Sequence, residues 1–156
     1  MTVQATSSPR RGSLVSGVAR LLHWLDHIPY AVLAIVLRLA VAEVFWSSAM
    51  TKLPSWKTTI ALFRDEYRVP LLPPEIAAYL ATGIELSTSV LLILGLLVRP
   101  AAAVLLGMTA VIEIFVYPLA WPTHLQWTAI LLVLLARGGG AASLDGLIRR
   151  QLIADR

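Results

Sequence analysis

The sequence contains no cysteine. That excludes disulfides, thiolate metal sites, iron–sulfur ligation and a cysteine nucleophile. Charge is scarce as well: 14% of the 156 residues are charged and 58% are hydrophobic, with a mean hydropathy of +0.76. Soluble domains carry roughly a quarter charged residues. With so little charge a soluble domain could not cover its apolar surface, so that class is excluded. No Ser-His-Asp spacing, CxxCH motif, internal repeat or low-complexity segment stands out. Gly138–Gly139–Gly140 has neither a preceding strand nor a following GKS or GKT, so it reads as a helix stop and not a phosphate loop. A cleavable signal peptide is not expected, because the first long apolar run begins only near Pro29 and no small-residue cleavage pattern follows it.

What the chain does have is apolar runs of membrane length. Four spans are expected at about residues 30–51, 76–98, 101–119 and 122–137. The fourth is short, and it either continues through Gly138–Ser143 or sits where the bilayer thins. The fold class is therefore an all-α membrane protein, a four-helix transmembrane bundle. Two amphipathic helices accompany it. Leu14, Val18, Leu21, Leu22 and Leu25 share one face of an N-terminal helix suited to a membrane surface. Between spans one and two, Trp56, Ile60, Phe63 and Tyr67 recur at steps of 4, 3 and 4, which predicts an outer interfacial helix resting on the membrane and ended by Pro70 and Pro73–Pro74. The organisation read from this is an N-terminal segment at 1–28, a membrane domain at 29–147 and a tail at 148–156.

Lys and Arg outnumber Asp and Glu by 13 to 9 and the pI is near 10, yet the basic residues flank apolar segments and form no run. They point to orientation in a bilayer, not to nucleic acid. Eight fall on the side shared by both termini (Arg10, Arg11, Arg20, Arg99, Arg137, Arg149, Arg150 and Arg156) and four on the other (Lys52, Lys57, Arg64 and Arg68). That asymmetry predicts an inner-membrane protein with both termini cytoplasmic. Tyr79, Tyr117, Trp121 and Trp127 then form an outer aromatic belt.

Ionisable residues inside spans are costly and mark candidate sites. From helix rise, Arg38 lies about 12 Å from the inner end, Glu43 about 20 Å, Glu85 about 20 Å and Glu113 about 18 Å. Three carboxylates on three helices thus share a layer. In span two, Ala78, Thr82, Glu85 and Ser89 form one small and polar stripe; Thr109, Glu113 and Tyr117 are spaced i, i+4, i+8; Glu43 shares a face with Ser47 and Met50. These faces predict an inward orientation for all three. Arg38 lies about 140° around its helix from Glu43, so it reaches another helix's carboxylate or snorkels to the inner end. Such a layer can protonate a quinone, relay protons, hold a divalent cation, or simply join helices through protonated glutamates. His124 opens span four and reads either as an outer-side ligand or proton donor or as a helix-end histidine of the aromatic belt with no special role. His23 and His27, four apart around Asp26, have metal-site spacing but read as solvated side chains, and Met50 and Met108 differ in depth by about 20 Å. No metal site is assigned.

An early first-span Arg38, then Lys52 in SSAMTKL, a span-two Glu85 followed by LLILGLLVRPAA, and a Gly-rich turn closing on Ser143–Leu144–Asp145 together resemble the DoxX family of small four-helix bacterial membrane proteins. The resemblance covers roughly residues 30–147. FRDEYRVPLLPPEIAAYLAT and VIEIFVYPLAWPTH are similar to a branch encoded beside multinuclear iron enzymes that modify small metal-binding peptides; Leu86 departs from that branch, where a histidine often follows the glutamate. The resemblance implies a membrane subunit of a redox or metal-homeostasis system that exchanges protons and electrons with quinone for a partner. Glu43, Glu85 and Glu113 would handle protons, and Arg38, Lys52 and His124 would bind the ligand. The chain carries no intrinsic redox cofactor motif. The alternatives are a non-enzymatic anchor docking a peripheral partner through its basic cytoplasmic face, and a small cation or proton transport accessory, which with so few spans would work as a homo-oligomer.

Overall fold

A computed structural model of the chain describes residues 10–154. The polar first nine residues, the side chains of Arg10, Arg11 and Leu14, and Arg156 lie outside what is described. Seven α-helices form: α1 (Arg10–Asp26), α2 (Tyr30–Lys52), α3 (Trp56–Leu62), α4 (Pro74–Leu94), α5 (Val98–Val111), α6 (Trp121–Arg137) and α7 (Leu144–Ala154). No strand occurs among the described residues. Four stretches are long and apolar enough to cross a bilayer: Tyr30–Lys52, Pro74–Leu94, Val98–Val116 and Pro118–Arg137. The fourth span does not continue into Gly138–Ser143. It gains length at its other end through a 3-10 turn at Pro118–Ala120. The helix stops at Gly138, whose φ of +76° suits glycine.

The four spans form a ring in which α2 packs on α4, α4 on α5, α5 on α6, and α6 back on α2. The core joins Val41, Ala42 and Phe45 of α2 to Leu92, Val98, Ala101, Ala102, Leu105, Leu131 and Leu134. Small residues let α2 and α4 approach closely, and Ser89 Oγ donates to the Ala42 carbonyl at 3.1 Å across that seam.

One end of the bundle, here the turn end, holds the α4–α5 and α6–α7 turns. The α4–α5 turn is a Schellman motif: Leu96 N donates to Leu91 O at 2.9 Å and Gly95 N to Leu92 O at 3.2 Å, with Gly95 at φ +71°. A Cβ on Gly95 would fall 1.7 Å from Arg38 Nη1 and 2.7 Å from Ser143 Cβ, so only glycine fits. The carboxylate of Asp145 accepts from Leu97 N at 2.8 Å and Val98 N at 2.9 Å, capping α5, while Ser143 Oγ accepts from Gly146 N at 3.0 Å, capping α7. The Ser143–Leu144–Asp145 signature is thus a double cap that staples the fourth span's exit to the third span's entry.

The opposite end is roofed by α3, which Ser55 caps through Thr58 N at 3.4 Å. The chain then widens into a π turn at Phe63–Tyr67 and closes with Arg68 at φ +43°. The spacing of Trp56, Ile60, Phe63 and Tyr67 does make one face, and that face packs on Ala77, Ala78 and Ala81 of α4. Burying aromatic area against alanines satisfies the apolar stripe within the protein. α1 and α7 are different: Val18, Leu21, Leu22 and Trp24 on α1, and Leu147, Leu152 and Ile153 on α7, are all exposed. α7 also runs without a break through residues 147 and 148.

Candidate functional site

In the roofed half the spans enclose a cavity of about 660 Å³, lined by all four spans and by Phe63, Tyr67, Val69 and Leu72 of the roof. Ligand pockets for small molecules commonly fall between about 300 and 1,000 Å³. The lining residues Leu80, Val104 and Val111 are also exposed, so the cavity is open to its surroundings and not sealed.

Two polar pairs interrupt the apolar walls. The first is an ion pair between Lys52, at the end of α2, and Glu85, in the middle of α4. Lys52 Nζ lies 2.8 Å from Oε1 and 2.9 Å from Oε2, with the two side chains only 6% and 3% exposed. Ser48, one turn before Lys52, donates to Glu85 Oε1 at 3.0 Å and meets Lys52 Nζ at 2.8 Å. Both charges are fully hydrogen-bonded, which is the condition under which a buried pair survives low dielectric. Lys52 is itself held in place, since Thr59 of α3 donates to its backbone carbonyl at 2.7 Å.

The second pair is His124 with Glu113, whose Oε2 lies 2.5 Å from His124 Nδ1. His124 is buried and lines the cavity, while Glu113 is one-third exposed. A π turn at Ile112–Val116 sets this up by inserting extra backbone after α5. The turn breaks the Thr109–Glu113–Tyr117 register, so Thr109 stays buried and Tyr117 leaves the bundle face. Such π bulges recur at functional sites. With Nδ1 engaged by the carboxylate, Nε2 is the nitrogen left for a ligand, and the carboxylate fixes the ring's orientation.

The roof is tied down over this space. Tyr117 Oη donates to Glu66, its ring meets that of Tyr67 edge-on at 5.6 Å, and Tyr67 in turn packs against Phe63. Burial raises the Tyr67 phenol above its ordinary value, and the Glu66 carboxylate beside it raises that of Tyr117. Arg64 and Glu75 add an exposed ion pair at 2.7 Å between roof and α4.

The expected single inward layer of carboxylates therefore resolves into three separate environments. Glu85 faces the cavity, as its buried stripe with Ala78, Thr82 and Ser89 predicts. Glu113 lies beside the cavity and reaches it through His124. Glu43 is exposed on the outside of α2 and accepts only from Ser47 of its own helix, at 2.7 Å. Arg38 meets no carboxylate at hydrogen-bonding range among the described residues. It is buried at the turn end, donates from Nη2 to Ala142 O at 3.1 Å, and leaves Nε and Nη1 without partners. It runs to the turn end without pairing with a carboxylate, and its guanidinium stays buried there. His23 and His27 lie exposed at the end of α1 with ring centroids 4.2 Å apart and planes tilted, Met50 is exposed, and Met108 lines the cavity. No group of three His, Asp or Glu positioned for a metal occurs among the described residues. Sequence reasoning does not single out Ser48 or Glu66, and it names Tyr67 only as part of the amphipathic face. Only Ser48 left a signal, its position one helical turn from Lys52.

The DoxX family model matches residues 33–118, more than half of the chain. The chain belongs to the DoxX family. The match spans Arg38, Glu43, Lys52, Glu85 and Glu113 and ends before His124. No curated protein and no solved structure matches the sequence.

Proposed function

We propose that this DoxX protein is the membrane subunit of a redox system, holding a lipid-soluble quinone in the roofed-half cavity and exchanging protons with it for a partner that supplies the electrons. The observation that carries this reading is the pairing of an apolar, open cavity with a histidine whose second nitrogen is oriented by a one-third-exposed carboxylate. A quinone supplies two-electron, two-proton chemistry at its carbonyl oxygens. The volume suits its ring and the start of its tail, and the open side of the cavity leaves room for the rest of the tail.

In this reading His124 Nε2 binds a carbonyl oxygen and delivers a proton, which Glu113 replenishes from its exposed side. Lys52, paired with Glu85 and Ser48, faces the ligand's other polar end and sets the local charge. Glu85 accepts from Lys52 and Ser48 throughout, so it holds the lysine in position. The charge asymmetry of the chain supports the roofed end on the outer side of a bacterial inner membrane, with both termini cytoplasmic. The exposed apolar faces of α1 and α7, with Arg20, Arg149 and Arg150 beside them, suit the inner leaflet or a peripheral partner.

The test is quinone extraction from protein purified in mild detergent, comparing wild type with His124→Ala and Glu85→Gln. The expected result is about one quinone per wild-type chain and a loss of more than about tenfold in both variants, with helical content unchanged. Wild-type protein that binds no quinone, either as purified or in titration with a short-chain analogue, would overturn the reading.

A further inference from the structure

Within the spans, Arg38, Glu85 and His124 are buried, as is Lys52 at the end of α2, and Glu113 is one-third exposed beside His124. Glu43 alone among the described span-interior ionisable residues is exposed. It stands thirteen residues from Tyr30 and nine from Lys52, about 20 Å and about 14 Å along the helix. Those distances place it deep in any hydrocarbon layer that α2 crosses, where a carboxylate facing lipid is costly. Its one hydrogen bond, from Ser47 at 2.7 Å, stays within its own helix.

The neighbours on its face are Val36, Ala40, Ser47 and Met50, all exposed and recurring at steps of 4, 3, 4 and 3. Ala40 and Ser47 flank Glu43 with small side chains that let a second helix come close. We propose that this stripe is an interface with a second copy of this chain, in which Glu43 hydrogen-bonds Glu43 of the copy. A two-fold axis along the bilayer normal brings identical residues together at identical depth. The match of a carboxyl group to a donor at its own level, which an unrelated partner would have to evolve, is then automatic. Among the described residues no cation of the spans competes for it: Lys52 is held by Glu85, Arg38 is buried at the turn end, and Arg99 and Arg137 are engaged at that same end by Ala136 O and the Tyr30 ring. A carboxylic acid–carboxylate pair shares one hydrogen, and the two Ser47 hydroxyls supply the outer donors. Ser47 also lines the cavity, so the interface closes the α2 side of that space. The proposal does not depend on what the cavity holds.

The absence of cysteine makes the test clean. Single Ala40→Cys and Met50→Cys variants are oxidised in lipid vesicles beside Leu132→Cys, a control on the exposed face of α6. Disulfides require Cα atoms within about 7 Å. The expected result is a cross-linked species at twice 17.0 kDa for Ala40→Cys, with Met50→Cys weaker and Leu132→Cys negligible. Native mass spectrometry of the wild type should show a dimer, weakened roughly 3- to 15-fold by Glu43→Leu and retained by Glu43→Gln. Monomeric wild type, equal cross-linking at all three positions, or a different protein cross-linked to Ala40→Cys would each overturn it.

Discussion

At the turn end, Arg38, Ser143 and Asp145 all bind backbone; at the roofed end, Lys52, Glu85, Glu113 and His124 bind one another's side chains. The first arrangement closes space. Gly95 and Gly140 bring main chain against Arg38, Ala31 and Ala34 with no room for a Cβ. The second leaves space, because paired side chains stand apart around a void that neither fills. Both ends lie in the same four helices and have similar composition. What separates them is the length of the connection: a tight turn joins α4 to α5, whereas a roof helix and two π turns cover the other end. A short connection draws helices together; a long one lets them part and make a site.

Breaking one partner of a buried ion pair costs about 3–5 kcal/mol, whereas replacing both by apolar residues is often neutral. Glu85→Leu should therefore lower thermal stability in detergent sharply, and adding Lys52→Met should recover most of it. The double variant should still fail to bind ligand, which would set the site role of the pair apart from any role in holding α2 to α4. If the double variant is as unstable as the single, the pair is structural and the contrast between the ends weakens.

Gly95→Ala attacks the other end. It combines a left-handed residue, at about 1–2 kcal/mol, with overpacking against Arg38 of similar size. Chemical denaturation should show a loss of about 2–4 kcal/mol, with ligand affinity per folded molecule unchanged. Asp145→Ala is the milder version. Losing the carboxylate that caps Leu97 N and Val98 N should cost about 0.5–2 kcal/mol by the same measurement, again without touching the cavity.

The smallest effect is on pH. Tyr67 and Tyr117 are raised above their ordinary value near 10, by burial and by the Glu66 carboxylate respectively. In the unfolded chain these phenols ionise near pH 10. The stabilisation they contribute is therefore complete below that value and is lost as pH rises through it toward the higher folded values. Melting temperature should fall between about pH 9 and 11, and Tyr117→Phe should flatten that slope while Tyr30→Phe, at the turn end, should change it less.

Much of this was legible in the chain. Apolar runs bounded by Pro29, Pro74 and Gly138 specify four spans, because a bilayer-length helix needs only hydropathy and stops. The Ala78–Thr82–Glu85–Ser89 stripe names the buried face of α4, because a regular helix preserves its period. The same reasoning failed on α5, where the π turn shifts the register just before Glu113. It failed again on Glu43, since Ser47 and Met50 are compatible with facing either a bundle or a second protein. The aromatic face of the roof helix was legible too, but not that α4 packs against it: periodicity says that a face is buried, never against what.

Composition and periodicity by themselves determined a four-span helical membrane protein with a roof helix, since burial of backbone polar groups in lipid leaves few other solutions. Only the tertiary structure decided that Lys52 belongs to Glu85, that His124 belongs to Glu113, and that Arg38 donates to the Ala142 carbonyl. Those partners lie 33, 11 and 104 residues apart, respectively. Which partners meet depends on helix rotation and on irregular turns, quantities that sequence periodicity carries only where the helix stays regular.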